Sequence, residues 1–217
     1  MDGATPEIEH CVAGVRRAHQ TLIESIASLT DERARGESLL PGWTIGHVLT
    51  HIARNADSHV RILHGAIAGE PTTQYEGGHE ERTAAIEAGA RRSATDLIGD
   101  IVASCTSLDH TYDEMTAAAW DSHGRNAGGE VWPCAAMPFH RWREVELHHV
   151  DLGLGYRPSD WPDDYVEREL AISLRLLPER LDEGDRRAML AWLVGRSGQP
   201  YSIDLAPWQG RPDHYLR

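Results

Sequence analysis

From Pro6 onward, apolar residues recur at intervals of three and four: Ile8, Cys11, Val12, Val15, Leu22, Ile23, Ile26 and Leu29. That period places side chains on one face of an α-helix. Thr5 offers a capping oxygen, and Pro6 suits a first helical turn, where no N–H is needed. A second stripe, Ile45, Val48, Leu49, Ile52, Ala56, Val60, Leu63 and Ile67, predicts a helix over 45–68 capped by Thr44. "ARGESLLPGW" connects the two, and the stretch 69–78 reads as a loop. A third helix is expected from near Glu80 to about Cys105, with Ile86, Leu97, Ile98, Ile101 and Val102 inward. The glycines of "WDSHGRNAGGEVWPC" predict irregular chain, after which Pro138 opens a fourth helix ending by Gly153. Helices joined in this way predict a mainly α protein, an antiparallel four-helix bundle.

Past "YRPSDWP" the composition shifts. Two further helical segments, about 163–177 and 184–195, precede "YSIDLAPW", which reads as a short strand. The expected division is a bundle over 1–157 and a small C-terminal segment, helical or α+β, over 158–217.

Composition narrows the function classes. With 217 residues and 41% hydrophobic content, the chain can bury a real core. No apolar run approaches the roughly 20 residues a membrane helix requires, and the acidic start "MDGATPEIEH" lacks the layout of a signal peptide. Cys11, Cys105 and Cys134 are odd in number and widely spaced, as in a protein of the reducing cytoplasm. A formal charge of −13 without a Lys/Arg cluster argues against nucleic acid as partner. Nothing in the sequence demands more than a monomer.

The chemistry gathers in "FHRWREVELHHVDLG", where His140, Glu144 and His148 are spaced by four and Asp151 follows at three. On a helix such positions share a face, so Glu144 and His148 can hold one ion. The second helix carries "GHVLTHIARN", with His51 on a polar strip beside Thr44, Asn55 and Ser58. Taken alone, the His51 motif reads better as the wet face of a helix, and the Glu144–His148 pair reads equally as a wet face or a ligand pair. Together they supply His51, Glu144 and His148, a His₂Glu set that leaves the fourth position of a tetrahedral zinc open, as catalytic sites do. Nickel, iron(II) or manganese would suit the same donors. His140 is the rival ligand, but three ligands spaced by four along one helix fan out rather than converge. Asp151 and Asn55 are placed to orient a ligand imidazole. His47, His59, His64, His79 and His149 read as surface or boundary residues, and Trp43 and Trp142 as core. Neither a nucleophile elbow nor a phosphate loop is present.

"LLPGWTIGHVLTHIARNA" and "RWREVELHHVDLG" resemble the two signature segments of the mycothiol-dependent maleylpyruvate isomerase family, within the larger group of DinB-like (YfiT-like) metal-binding bundles. The resemblance spans roughly 6–157, and "ERTAAIEAGA" and "AWLVGRSG" extend it. It implies metal ligands at His51, Glu144 and His148 and a functionally important arginine at Arg196. Arg82 also matches an arginine of the isomerase, although its acidic neighbours Glu80, Glu81 and Glu87 suit a surface salt bridge. The C-terminal segment is shorter than the isomerase's second domain. The implied cofactors are a divalent metal, zinc first, and the sugar-linked thiol mycothiol. The implied reaction adds the thiolate to the cis double bond of maleylpyruvate, allows rotation, and expels the thiolate from trans fumarylpyruvate. A mycothiol S-transferase acting on another small-molecule electrophile and a non-catalytic metal-binding protein are the competing readings.

Overall fold

The computed structural model describes residues 2–196, and the expected strand in "YSIDLAPW" lies outside them. The chain divides into two compact units, Met1–Trp161 and Pro162–Arg217. The first contains α1 (Pro6–Ile26), α2 (Asp31–Arg35), α3 (Ile45–Ala68), α4 (Gly78–Gly89), α5 (Ala94–Glu114), α6 (Ala117–Trp120) and α7 (Met137–Asp151), with strands β1 (His123–Arg125) and β2 (Val131–Pro133) before α7. The described part of the second unit consists of a 3₁₀-free pair of helices, α8 (Asp163–Arg180) and α9 (Glu183–Leu193), the latter capped by the Asp182 side chain.

The four long helices α1, α3, α5 and α7 form the expected bundle, with α3 packed mainly on α5 and α1 mainly on α7. Both predicted caps exist: Thr5 accepts from the Ile8 N–H and Thr44 from the His47 N–H. The apolar stripes form the core, where Val12, Val15, Leu22, Ile45, Val48, Leu49 and Leu63 are fully buried. Gly14 lets α1 and α7 approach, because a Cβ there would lie 2.5 Å from the Trp142 ring. Trp142 is buried, as predicted.

Three expectations fail. The third predicted helix is two helices, α4 and α5, because Ser93 accepts from the Asp96 N–H and starts a new one. A Ser followed by an acid three residues on is a helix-start signal, here hidden inside a helical run. Val102 and Ile67 lie at the edges of their stripes, at 38% and 37% exposure. The segment read as irregular holds an antiparallel hairpin, with Gly124 opposite Trp132. Its strands are too short to show a period of two. Gly124 fits there because a Cβ would meet Ile62 of α3 at 2.5 Å.

The core also contains a cation. Arg141 on α7 is fully buried and donates to the Ile52 carbonyl and Asn55 Oδ1, both at 2.8 Å, and to His19 Nε2 at 3.0 Å. His19 in turn meets Asp109 at 3.1 Å. Burial pushes the His19 imidazole down from 6.5 to about 4, against the opposing pull of Asp109. Between those values the unfolded chain binds a proton that the folded chain refuses, so this contribution to stability is complete above 6.5 and lost as pH falls towards 4. The urea midpoint is therefore expected to drop between pH 7 and 5, by about 1.4 kcal/mol of stability per pH unit for one such histidine. A midpoint unchanged over that range would contradict a neutral buried His19.

All three cysteines are buried free thiols. Burial raises Cys105, and pushes Cys134 up to about 12. Among the described residues no helix is long and apolar enough to cross a membrane.

Candidate metal centre

The site forms where α3 faces α7. Two interactions fix the first turns of α3: the Thr44 cap, and the His47 imidazole, which returns to accept from the Thr44 N–H at 3.2 Å. Further along, Arg141 ties α7 to the α3 backbone at Ile52. His51 is adjacent in sequence to that tie, and Glu144 lies three residues beyond Arg141. The buried cation thus sets the register that brings His51 opposite Glu144 and His148.

His51 Nε2 lies 3.0 Å from His148 Nε2 and 3.2 Å from Glu144 Oε2, and the last two atoms are 3.7 Å apart. Ligands at about 2.05 Å around a tetrahedral ion stand about 3.3 Å from one another, so this triangle has the size of one face of such a site. Among the described residues these three form the group able to hold a metal ion. His51 is buried, whereas Glu144 and His148 are only partly covered, so the triangle opens on the α7 side.

The ionisation states suit a cation. Burial holds the His51 imidazole down at about 4, outweighing its hydrogen bond to the Glu144 carboxylate. Burial alone would raise the Glu144 carboxyl, but the His51 hydrogen bond and the nearby His140 and His148 hold it well below the usual carboxylate range. A neutral His51 imidazole and an ionised Glu144 carboxylate are the forms that bind metal. The His148 tautomer is fixed from behind. Asp151 Oδ2 lies 2.8 Å from Nδ1 and can only accept, so the proton sits on Nδ1 and the Nε2 lone pair faces the triangle.

Around the triangle stand Trp43 and Arg82. The Trp43 ring meets His51 edge-on at 5.8 Å and stacks on His47 at 6.0 Å, so it is half-exposed rather than core. Its loop is fastened to the end of α7 by the Leu39 N–H, which donates to the Asp151 carbonyl at 2.8 Å. Arg82 on α4 directs its guanidinium at His51 Nδ1, 3.2 Å away, and not at the acids beside it in sequence.

His140, set aside in the sequence as the rival ligand, lies outside the triangle: its Nε2 lies 3.8 Å from Glu144 Oε1, and its ring packs against Trp132 at 4.6 Å. The readings of His59 and His149 as surface or boundary residues, and of Asn55 as an orienting partner, need correction. His59 and His149 are buried, not surface residues. His59 lies edge-on to Trp132, because the hairpin covers the strip of α3 that looked solvated. His149 bonds Ser25 at 2.8 Å and stacks on Tyr156 at 3.8 Å. Asn55 accepts from Arg141 and orients no ligand of the triangle. Arg196 belongs to the second unit and is exposed, with its guanidinium donating to the Val194 carbonyl at 3.1 Å. Sequence reasoning missed Arg141 itself, since a lone arginine among helical charges carries no mark of burial.

Comparison with known proteins gives a consistent result. The family model described as the mycothiol maleylpyruvate isomerase N-terminal domain matches residues 15–153. The crystal structure of a mycothiol-dependent maleylpyruvate isomerase superposes with a TM-score of 0.72 at 26% identity, covering 82% of this chain and 77% of that one. A histidine-to-alanine mutant of that enzyme matches with the same score and coverage at 25% identity. No curated protein matches significantly.

Proposed function

We infer the function from one premise: this chain belongs to the family defined by the mycothiol maleylpyruvate isomerase N-terminal domain. It is a metal- and mycothiol-dependent cis–trans isomerase that converts maleylpyruvate to fumarylpyruvate. The observation that carries this reading is the His51–Glu144–His148 triangle, located inside the matched segment and open on one side.

His51, Glu144 and His148 hold the metal, and zinc is the best match to two imidazoles and one carboxylate at this spacing. Bound there, a Lewis acid lowers the pKa of a thiol in its open position and supplies thiolate at neutral pH. The protein's own groups do the rest. Asp151 keeps the proton of His148 on Nδ1, and Glu144 brings the negative charge that offsets the cation. Addition of thiolate to the double bond develops charge on the substrate's carbonyl oxygen, and arginines are suited to that charge and to the substrate's carboxylates. Arg82 serves the bound thiol or substrate, and Arg196 is the catalytic cation. Residues 1–157 form the metal-binding part and 158–217 the small C-terminal segment, in a monomeric cytoplasmic protein.

The test is a maleylpyruvate assay on chelator-stripped and zinc-reloaded protein, with and without mycothiol. Conversion to fumarylpyruvate only when both are present is the expected result. Zinc bound without conversion would overturn the isomerase reading, and a conjugate accumulating on another electrophile would replace it with S-transfer.

Asp151→Ala is expected to weaken zinc affinity about 10- to 100-fold, the usual cost of losing the partner behind a ligating histidine. Competition against a chromophoric chelator measures it. Unchanged affinity would mean that Asp151 is only a helix-end acid.

A further inference from the structure

Arg82 and a metal ion make opposite demands on His51. A guanidinium has five N–H donors and no acceptor, so the contact at 3.2 Å requires a lone pair on His51 Nδ1. A neutral imidazole with its lone pair on Nδ1 carries its proton on Nε2. That proton then points at Glu144 Oε2, 3.2 Å away, and at the Nε2 lone pair that Asp151 secures on His148, 3.0 Å away. The polar contacts thus form one directed chain, from Arg82 through His51 to Glu144 and His148, and every donor in it meets an acceptor.

A metal ligand needs the opposite tautomer, with the lone pair on Nε2 and the proton on Nδ1. His51 reaches it by moving one proton between its ring nitrogens, with no change in charge. Nδ1–H then faces the guanidinium, donor against donor. Desolvation makes this contact unfavourable, since His51 is buried. We propose that Arg82 is held on His51 Nδ1 until a metal binds at Nε2, and that metal binding releases its guanidinium. The inference rests on the metal reading above. It adds that the metal and the freed cation arrive together, so a carboxylate-bearing ligand meets a positive partner only at a loaded site. Arg82 is therefore a positioning residue for His51 before loading and an anion partner afterwards. It also opposes metal binding, because its hydrogen bond must break.

The test uses the full chain, stripped of metal and then titrated with zinc. In the stripped wild type, long-range ¹H–¹⁵N spectra of labelled histidine are expected to place the His51 proton on Nε2. Zinc should move it to Nδ1 and abolish the contact between the Arg82 side chain and the His51 ring. Arg82→Met should bind zinc about tenfold more tightly, the scale of one lost charge-assisted hydrogen bond. A His51 proton already on Nδ1 in the stripped wild type would overturn the proposal, even if Arg82→Met tightened zinc through charge alone. Equal or weaker zinc binding by Arg82→Met would overturn it as well. No zinc uptake by any form, including the wild type, would overturn the metal reading and this proposal with it.

Discussion

His51→Ala is expected to leave a folded protein that no longer retains metal and whose thiol-dependent turnover falls by more than about 100-fold. Loss of a partner one bond removed from a metal ligand already costs up to about that factor, and His51 supplies the metal-facing nitrogen itself. Helix propensity favours alanine, and Thr44, His47 and Arg141 still fix α3, so the fold should survive. Glu144 and His148 alone make a weak site, two donors on one partly covered edge of α7. Metal content after gel filtration, circular dichroism and the maleylpyruvate assay together decide the matter. The sharpest control is His140→Ala. His140 has the same spacing from Glu144 as His148 does, yet its ring faces Trp132, so that variant should keep stoichiometric metal. Metal retained by His51→Ala and lost by His140→Ala would place the site along one helix and contradict the triangle.

Arg141→Met is expected to destabilise the protein by about 3–5 kcal/mol. Two effects oppose each other. Removing a buried charge relieves its desolvation cost, and an apolar residue of similar volume can then be neutral or stabilising when the whole polar group goes with it. Here the partners remain. Asn55 Oδ1 and His19 Nε2 would lose their donor in a buried site, while the Ile52 carbonyl keeps its helical partner, and each orphaned buried group costs about 1–3 kcal/mol. The loss should therefore win. Urea denaturation of Arg141→Met measures it, and a change below about 1 kcal/mol would show that water replaces the guanidinium. Adding Asn55→Leu to that variant should recover part of the loss, since it removes one orphan. Because the same guanidinium joins α7 to α3 beside His51, weaker zinc binding should accompany the loss of stability.

The parts of this molecule legible in the sequence were those written as local signals. α3 begins and ends where its cap and stripe predicted, at Ile45 and Ala68. The pairing of Asp151 with His148 follows from helical spacing and exists as read. The juxtaposition of His51 with Glu144 and His148 was reached by joining two weak motifs, and it depends on a register that no spacing within either helix encodes. What failed was non-local. The helix wheel marked Thr44, His51, Asn55 and Ser58 as a polar strip and left His59 at the surface or boundary, but a wheel cannot register that the hairpin and α7 cover His51, Asn55, Ser58 and His59. Arg141 and Asn55 are ordinary polar residues on their own helices, and become a buried pair only when those helices meet. The break between α4 and α5 was local and visible, but the apolar positions on either side, Ile86 and Leu97, stay close enough to a helical period to mask it.

The three buried cysteines have a consequence for a protein that handles a free thiol. A small thiol brought repeatedly to one site is also present in its oxidised form, and an accessible protein thiolate would exchange with that disulfide. Thiolate fraction and access control such exchange. Cys11, Cys105 and Cys134 offer little of either, with at most 3% exposure and with Cys105 and Cys134 held protonated by burial. The polypeptide is therefore insulated from S-thiolation by its own cosubstrate, and swings in the redox balance of that pool should leave it unmodified.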